Sequence, residues 1–133
     1  MSTNSRVSIQ LKNRKIKSIF VHWDGYLSGV GKDLLNFYNT EEKLNELLQL
    51  GNLSILGTHI GEKVDFNNFH SKDNKQCLAY GRDRGEDESE AIEHLDSEYE
   101  REYNYLFKNG IWLFRKEGKK IYKELTKELI EKD

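Results

Sequence analysis

The chain has 133 residues, 36% hydrophobic and 33% charged, with a formal net charge of -2; that length supports one domain with its own core, without disulfides or a structural metal. The near-neutral balance argues against nonspecific duplex-DNA binding by counterion release, because basic strips at residues 12–17 and 115–123 are offset by the acidic run from Glu86 to Glu102. Cys77 is the only cysteine, which fits a reducing cytoplasm, and no stretch resembles a signal-peptide core or the roughly 18 apolar residues of a membrane span.

The polar tip, residues 1–5, is expected to be flexible. "RVSIQLK" then alternates, with Val7, Ile9 and Leu11 on one side and Ser8 and Gln10 on the other, which predicts a half-buried strand. "IKSIFVHW" predicts a second strand, paired with the first as a hairpin across "NRK". "DGYLSGVG" is a loop. In "KDLLNFYN", Leu34, Leu35 and Tyr38 mark one face of a helix. Asn39 and Glu42 have the spacing of a capping box. The clearest helix follows in "TEEKLNELLQLG", with Leu44, Leu47 and Leu48 as its stripe and Gly51 as its stop.

"NLSILGTHIGEK" is either a strand or a helical turn with a loop, and "VDFNNFHSKDNK" is a polar loop. "QCLAYGRD" predicts a strand. The acidic "RGEDESEAIEHLDSEYEREY" is a loop or a solvated helix. In "EYNYLFKNGIWLFRK", Asn109-Gly110 supplies a type I′ turn between aromatic-rich arms, with Tyr103, Tyr105 and Phe107 on one and Trp112 and Phe114 on the other. "EGKKIYKELTKELIEK" predicts a final helix with Ile121, Leu125 and Leu129 on one stripe. Strands that come in hairpins predict a single α+β domain over residues 1–133, with a mainly antiparallel sheet and helices packed on one face.

Three stretches carry candidate chemistry. In "FVHWDGYLSGVGK", a strand, several glycines and Lys32 precede a helix, as in a phosphate-binding loop. Five residues separate Gly25 from Gly31, one more than a Walker A motif has, and Asp33 stands where the magnesium-binding hydroxyl belongs. An NTPase is therefore excluded. The glycines either allow a tight strand-to-helix connection, the favoured reading, or leave backbone N–H groups for an anion assisted by Lys32. His22, Trp23, Asp24 and Tyr26 form a candidate ligand surface, on which the aromatic rings stack on a base or fill a partner's pocket. An acid–base pair of His22 and Asp24 is the catalytic alternative, without an obvious nucleophile beside it.

In "YGRDRGED", Arg82 and Arg84 project to one side of an extended chain. They suit either a phosphate or carboxylate ligand or plain pairing with the neighbouring acids. The acidic stretch, including Glu86, Asp87, Glu88 and Glu90, is a solvated face or a surface that masks a basic, nucleic-acid-binding partner. No metal or cofactor is expected: His22, His59, His70, His94 and Cys77 are scattered without paired-ligand spacing, although a loop could bring His59, Asp65 and His70 together.

"IFVHWDGY", the following "GKDLLNFYN", "YGRDRGE" and "EYNYLFKNGIW" together resemble a family of small, mostly uncharacterised phage- and prophage-encoded proteins. Leu27 departs from the proline expected after the Tyr of that motif. The resemblance covers most of the chain and implies a phage or prophage setting in the host cytoplasm, with no firm activity. It makes the expected role that of an accessory protein that counters a host system, as an anti-CRISPR protein does, by binding. The partner is then a host protein or a nucleotide-like small molecule. No membrane association is expected, homo-oligomerisation is open, and the alternative is a small phosphate-ester hydrolase or transferase using His22 and Asp24.

Overall fold

A computed structural model describes residues 2–132. β1 (Ser5–Gln10) and β2 (Ile16–Val21) form the expected hairpin, in register from Ser5 opposite Val21 to Gln10 opposite Ile16. β2 runs into a π-turn at Leu27–Gly31, then α1 (Lys32–Phe37) and α2 (Glu41–Gln49), and the chain returns as β3 (Leu53–Ile55), parallel to β2. A 3-10 turn at Phe66–Asn68 precedes β4 (Leu78–Ala79), α3 (Tyr80–Arg84) and β5 (Ile92–His94). β6 (Tyr103–Lys108) and β7 (Ile111–Lys116) are the second hairpin, with Asn109 at φ 53° and Gly110 at φ 78° in its turn. β8 (Lys123–Glu124) and α4 (Lys127–Glu131) complete the chain.

The strands make one sheet in the order β4-β3-β2-β1-β6-β7-β8, with β5 also paired to β2. Most pairs are antiparallel; β1–β6 and β2–β3 are parallel. The molecule is thus a single α+β domain with a mixed, mostly antiparallel sheet. Alternation explains its two faces. Val7, Ile9, Ile19, Val21, Tyr105, Phe107, Trp112 and Phe114 share the face on which Leu34, Leu44, Leu47, Leu48 and Ile130 of the helices pack.

Five local expectations are corrected. The tip is not loose at Thr3 and Asn4: Thr3 O accepts from Gly25 N–H at 2.8 Å, and Asn4 Oδ1 accepts from Glu102 N–H at 3.1 Å; Met1 lies outside the described residues. Thr40, not Asn39, caps α2, because its extended backbone brings its hydroxyl 3.2 Å from Lys43 N–H. "QCLAYGRD" is strand only at Leu78–Ala79. Asp83 accepts from Ala79 N–H at 2.7 Å, and Gly85 at φ 72° closes the turn, so residues 80–84 coil into a helix. Part of the acidic segment is a strand, β5, because β2 offers it a free edge at Ile16–Ser18. The last stretch is not one helix: Gly118 turns at φ 81°, β8 pairs with β7, and Thr126 caps a new, short helix. Leu125 is buried as expected, while Ile121 is 81% exposed.

The second face of the sheet holds the largest surprise. Ser8, expected to face solvent, is fully buried, as are Arg6, Ser18 and Asn104. The chain from His94 to Arg101 folds over this face. Arg6 reaches Asp96 and the carbonyls of Asp96 and Glu98; Arg115 reaches Asp96, Glu100 and the Lys119 carbonyl. A buried polar face is stable only when its groups find partners, and the acidic segment supplies most of them, leaving Nε of Arg6 and of Arg115 without one among the described residues.

Candidate functional site

The "HWDGY" stretch begins where β2 ends. The ladder to β3 continues through His22 N–H to Leu53 O (3.0 Å) and Trp23 N–H to Ser54 O (3.1 Å). Asp24 then takes a left-handed φ of 58°, a conformation that costs a non-glycine residue energy and clusters at functional positions. It turns the chain out of the sheet. Gly25 is clamped beneath, its carbonyl accepting from the Tyr105 hydroxyl at 2.7 Å, and a Cβ there would lie 2.8 Å from the Asn4 backbone.

The glycines therefore serve close packing. A Cβ on Gly29 would lie 2.3 Å from Asp24 O, and one on Gly31 would lie 3.1 Å from the Tyr105 hydroxyl. The anion-site reading loses its donors as well: Gly29 N–H bonds Tyr26 O, Val30 N–H bonds Asp24 O, and Lys32 N–H bonds back into the π-turn. Lys32 itself is exposed.

Beside this turn lies a cleft of about 390 Å³, at the carboxyl ends of the parallel pair β2 and β3. Ligand sites favour this position in α/β sheets, because the strands diverge there and loops form the walls. Trp23 and Asp24 line one side, Gly57 and Thr58 follow β3, Asp33 comes from α1, and Lys75 and Gln76 close the far wall. Trp23 is 43% exposed. Burial raises the Asp33 carboxyl above its ordinary pKa against the pull of Lys32, and the Asp24 charge pushes it the same way as burial. The cleft thus offers an indole face, two carboxylates and one ammonium group.

The alternative acid–base pair of His22 and Asp24 is not assembled. The Asp24 carboxylate accepts from the Tyr26 hydroxyl at 3.1 Å, and His22 packs on Trp23 with ring centroids 4.8 Å apart. No hydrogen bond joins His22 to Asp24 among the described residues.

The two arginines do not project together as in an extended chain, and neither lines the cleft. Arg82 is a strut: it donates to Asp83, to Ile60 O at 2.9 Å and to Cys77 O at 2.8 Å. Asp83 in turn accepts from Val64 N–H and Ala79 N–H. Burial opposes its ionisation, but these donors outweigh burial and hold its carboxyl below the ordinary range. Arg84 lies over Phe66 and Tyr80, 4.6 and 4.7 Å from their centroids, and pairs with Glu86.

Glu86, Asp87, Glu88 and Glu90 are all exposed, around a loop anchored where Asn52 N–H bonds Ser89 O at 2.7 Å. His59 and Asp65 have local tasks: His59 Nδ1 meets the Thr58 hydroxyl, and Asp65 accepts from Asn67 and Asn68. His70 is exposed.

Sequence reasoning missed one polar cluster, Ser8, Ser18 and His94. The two hydroxyls lie 2.5 Å apart, Ser18 meets His94 Nε2 at 2.7 Å, and His94 Nδ1 meets Leu95 O at 2.7 Å. The carbonyl can only accept, so Nδ1 carries a proton. All three side chains are buried away from the cleft, and the trio holds β1, β2 and β5 together. The available signal was the polar alternation of "RVS" and "KSI" opposite a later histidine.

Comparison with protein-family models, with curated proteins and with solved structures finds no match to this chain.

Proposed function

We propose that the chain is a binding protein, a phage or prophage accessory factor that counters a host system by capturing a nucleotide-like ligand in the cleft beside Trp23. The observation that carries this reading is the placement of Trp23 and Asp24 together in a cleft of about 390 Å³ at the ends of two parallel strands. An exposed indole stacks on a planar base. The Asp24 carboxylate accepts from an exocyclic amino or sugar hydroxyl, and Lys75 meets an anionic group. Two carboxylates oppose a heavily phosphorylated ligand, so a nucleoside or monophosphate suits the cleft best. The phage setting rests on the sequence resemblance alone.

Tryptophan fluorescence and thermal melting with a panel of nucleosides and nucleotides test this. Quenching and a raised Tm are expected for the ligand class, both lost in Trp23→Ala and Asp24→Ala. Arg82→Ala is not an informative variant, because Arg82 supports the fold. No response to any compound at about 1 mM removes the proposal.

A second reading has its own support: four exposed acids, Glu86, Asp87, Glu88 and Glu90, on one anchored loop. They suit the masking of a basic, nucleic-acid-binding host protein. Charge reversal at Glu88 and Glu90 then weakens a salt-sensitive complex and leaves nucleotide melting shifts intact. A hydrolase or transferase centred on His22 and Asp24 has the least support, since the pair is not joined.

A further inference from the structure

On the far side of the sheet from β4, β7, β8 and the turn between them enclose a groove of about 560 Å³. Its floor is Leu27 and Phe114, and its walls carry Lys116, Lys119, Lys120 and Lys123. No carboxylate lines it, in a chain whose formal net charge is -2. None of the four lysines forms an ion pair among the described residues. Arg115 also borders the groove, but its charge is met by Asp96 and Glu100. Ile121 stands on the rim, 81% exposed, between Lys120 and Tyr122.

We propose that this groove docks an extended acidic peptide segment of a partner protein, one that carries an apolar anchor side chain. Charge complementarity selects the acidic partner, because four lysines without ion pairs border one groove; of these, Lys116 also lies 5.3 Å from the centre of the Tyr103 ring. Ile121 on the rim receives the anchor, above a floor in which Leu27 and Phe114 are nearly buried. The fold selects a polypeptide. β8, only Lys123–Glu124, is the last strand of the sheet and among the described residues pairs only with β7, so its short outer edge presents main-chain groups to an added strand. A lipid surface or a nucleic acid has no use for that edge. No aromatic ring of the groove is exposed for base stacking, since Phe114 is only 7% exposed. This surface is separate from the Trp23 cleft, with which it shares no lining residue.

The experiment uses the full chain and a fluorescein-labelled short peptide that alternates glutamate and valine. Fluorescence anisotropy should show saturable, salt-weakened binding. Affinity should fall at least about tenfold in the Lys119→Glu/Lys120→Glu variant and in Ile121→Ser, with circular dichroism unchanged. The same peptide N-methylated at alternate amides should bind at least about tenfold more weakly, because strand pairing is blocked. A lysine–valine peptide, phosphatidylserine vesicles and oligothymidylate complete the panel. The proposal is overturned if the acidic peptide fails to bind at about 1 mM, or if vesicles or oligothymidylate bind in its place. Equal binding of the N-methylated peptide or of the charge-reversed variant also overturns it. So does sedimentation showing that a second copy of the chain fills the groove.

Discussion

Arg6 donates Nη2 to the Asp96 carboxylate at 2.7 Å, linking the first strand to a segment 90 residues later. The arginine side chain is fully buried and the aspartate is 43% exposed. Tyr122 donates to the same carboxylate oxygen at 2.6 Å, and burial together with that bond pushes its hydroxyl up to about 12. This contact closes the polar face of the sheet.

Asp96→Asn keeps the shape of the contact but leaves the buried Arg6 without its carboxylate, while Arg115 keeps Glu100. A cost of about 2 kcal/mol is expected, below the usual figure for breaking a buried pair because the carboxylate is partly exposed. Urea unfolding should show a lower midpoint at unchanged slope. Acid should have a related effect. Asp83, Asp96 and Glu100 all have lowered pKa values. The unfolded chain then binds more protons than the folded one. Their stabilisation is full above the ordinary carboxylate pKa of about 4 and is lost as pH falls through and below it. Asp33, with a raised pKa, acts in the opposite sense: it destabilises as pH rises from about 4. Three groups against one predict net loss in acid, with a shallower dependence in Asp96→Asn.

Asp83 holds two backbone N–H groups and Arg82 at once. Asp83→Ala orphans both N–H groups and leaves Arg82 only the Ile60 and Cys77 carbonyls, and a loss of about 3 kcal/mol is expected. Differential scanning calorimetry should record it in the protein without ligand. A change of less than about 0.5 kcal/mol would show that the "GRDRGE" stretch is not a strut.

Two glycines separate steric crowding from backbone strain. Gly29→Ala places a methyl 2.3 Å from Asp24 O and should cost about 2–3 kcal/mol. Gly118, at φ 81°, has open space around its Cβ position, so Gly118→Ala should cost only the left-handed penalty of about 1–2 kcal/mol. Chemical denaturation of the two variants side by side checks the order.

Ile121→Ser should change stability by less than about 0.5 kcal/mol, because the side chain is exposed. A continuous helix from 117 to 132 with Ile121 on its buried stripe predicts a loss several times larger. Thermal melting distinguishes the two.

Much of the fold was legible because its signals are local. The alternation of Val7 and Ile9, the Asn109-Gly110 turn and the leucine stripe of α2 each set structure within a few residues. The missed elements depend on distant partners. β5 is a strand because β2 has a free edge, and residues 80–84 are helical because Asp83 finds Ala79 and Val64. The Trp23 surface was legible as an unusual motif, but its cleft was not, since Thr58, Lys75 and Gln76 arrive from separate loops.

The sequence by itself determined the two hairpins, the α2 helix, the α+β class and the rejection of a Walker A loop. Periodicity, turn chemistry and motif spacing are written along the chain. The tertiary structure alone decided which charges lie on the surface and which are struts. Arg82 and Arg84 look alike in sequence, yet one is bonded to Ile60 O and Cys77 O and the other is stacked over Phe66 and Tyr80. A charge's role depends on what lies within a few ångströms of it, and that is set by strand order and loop crossing.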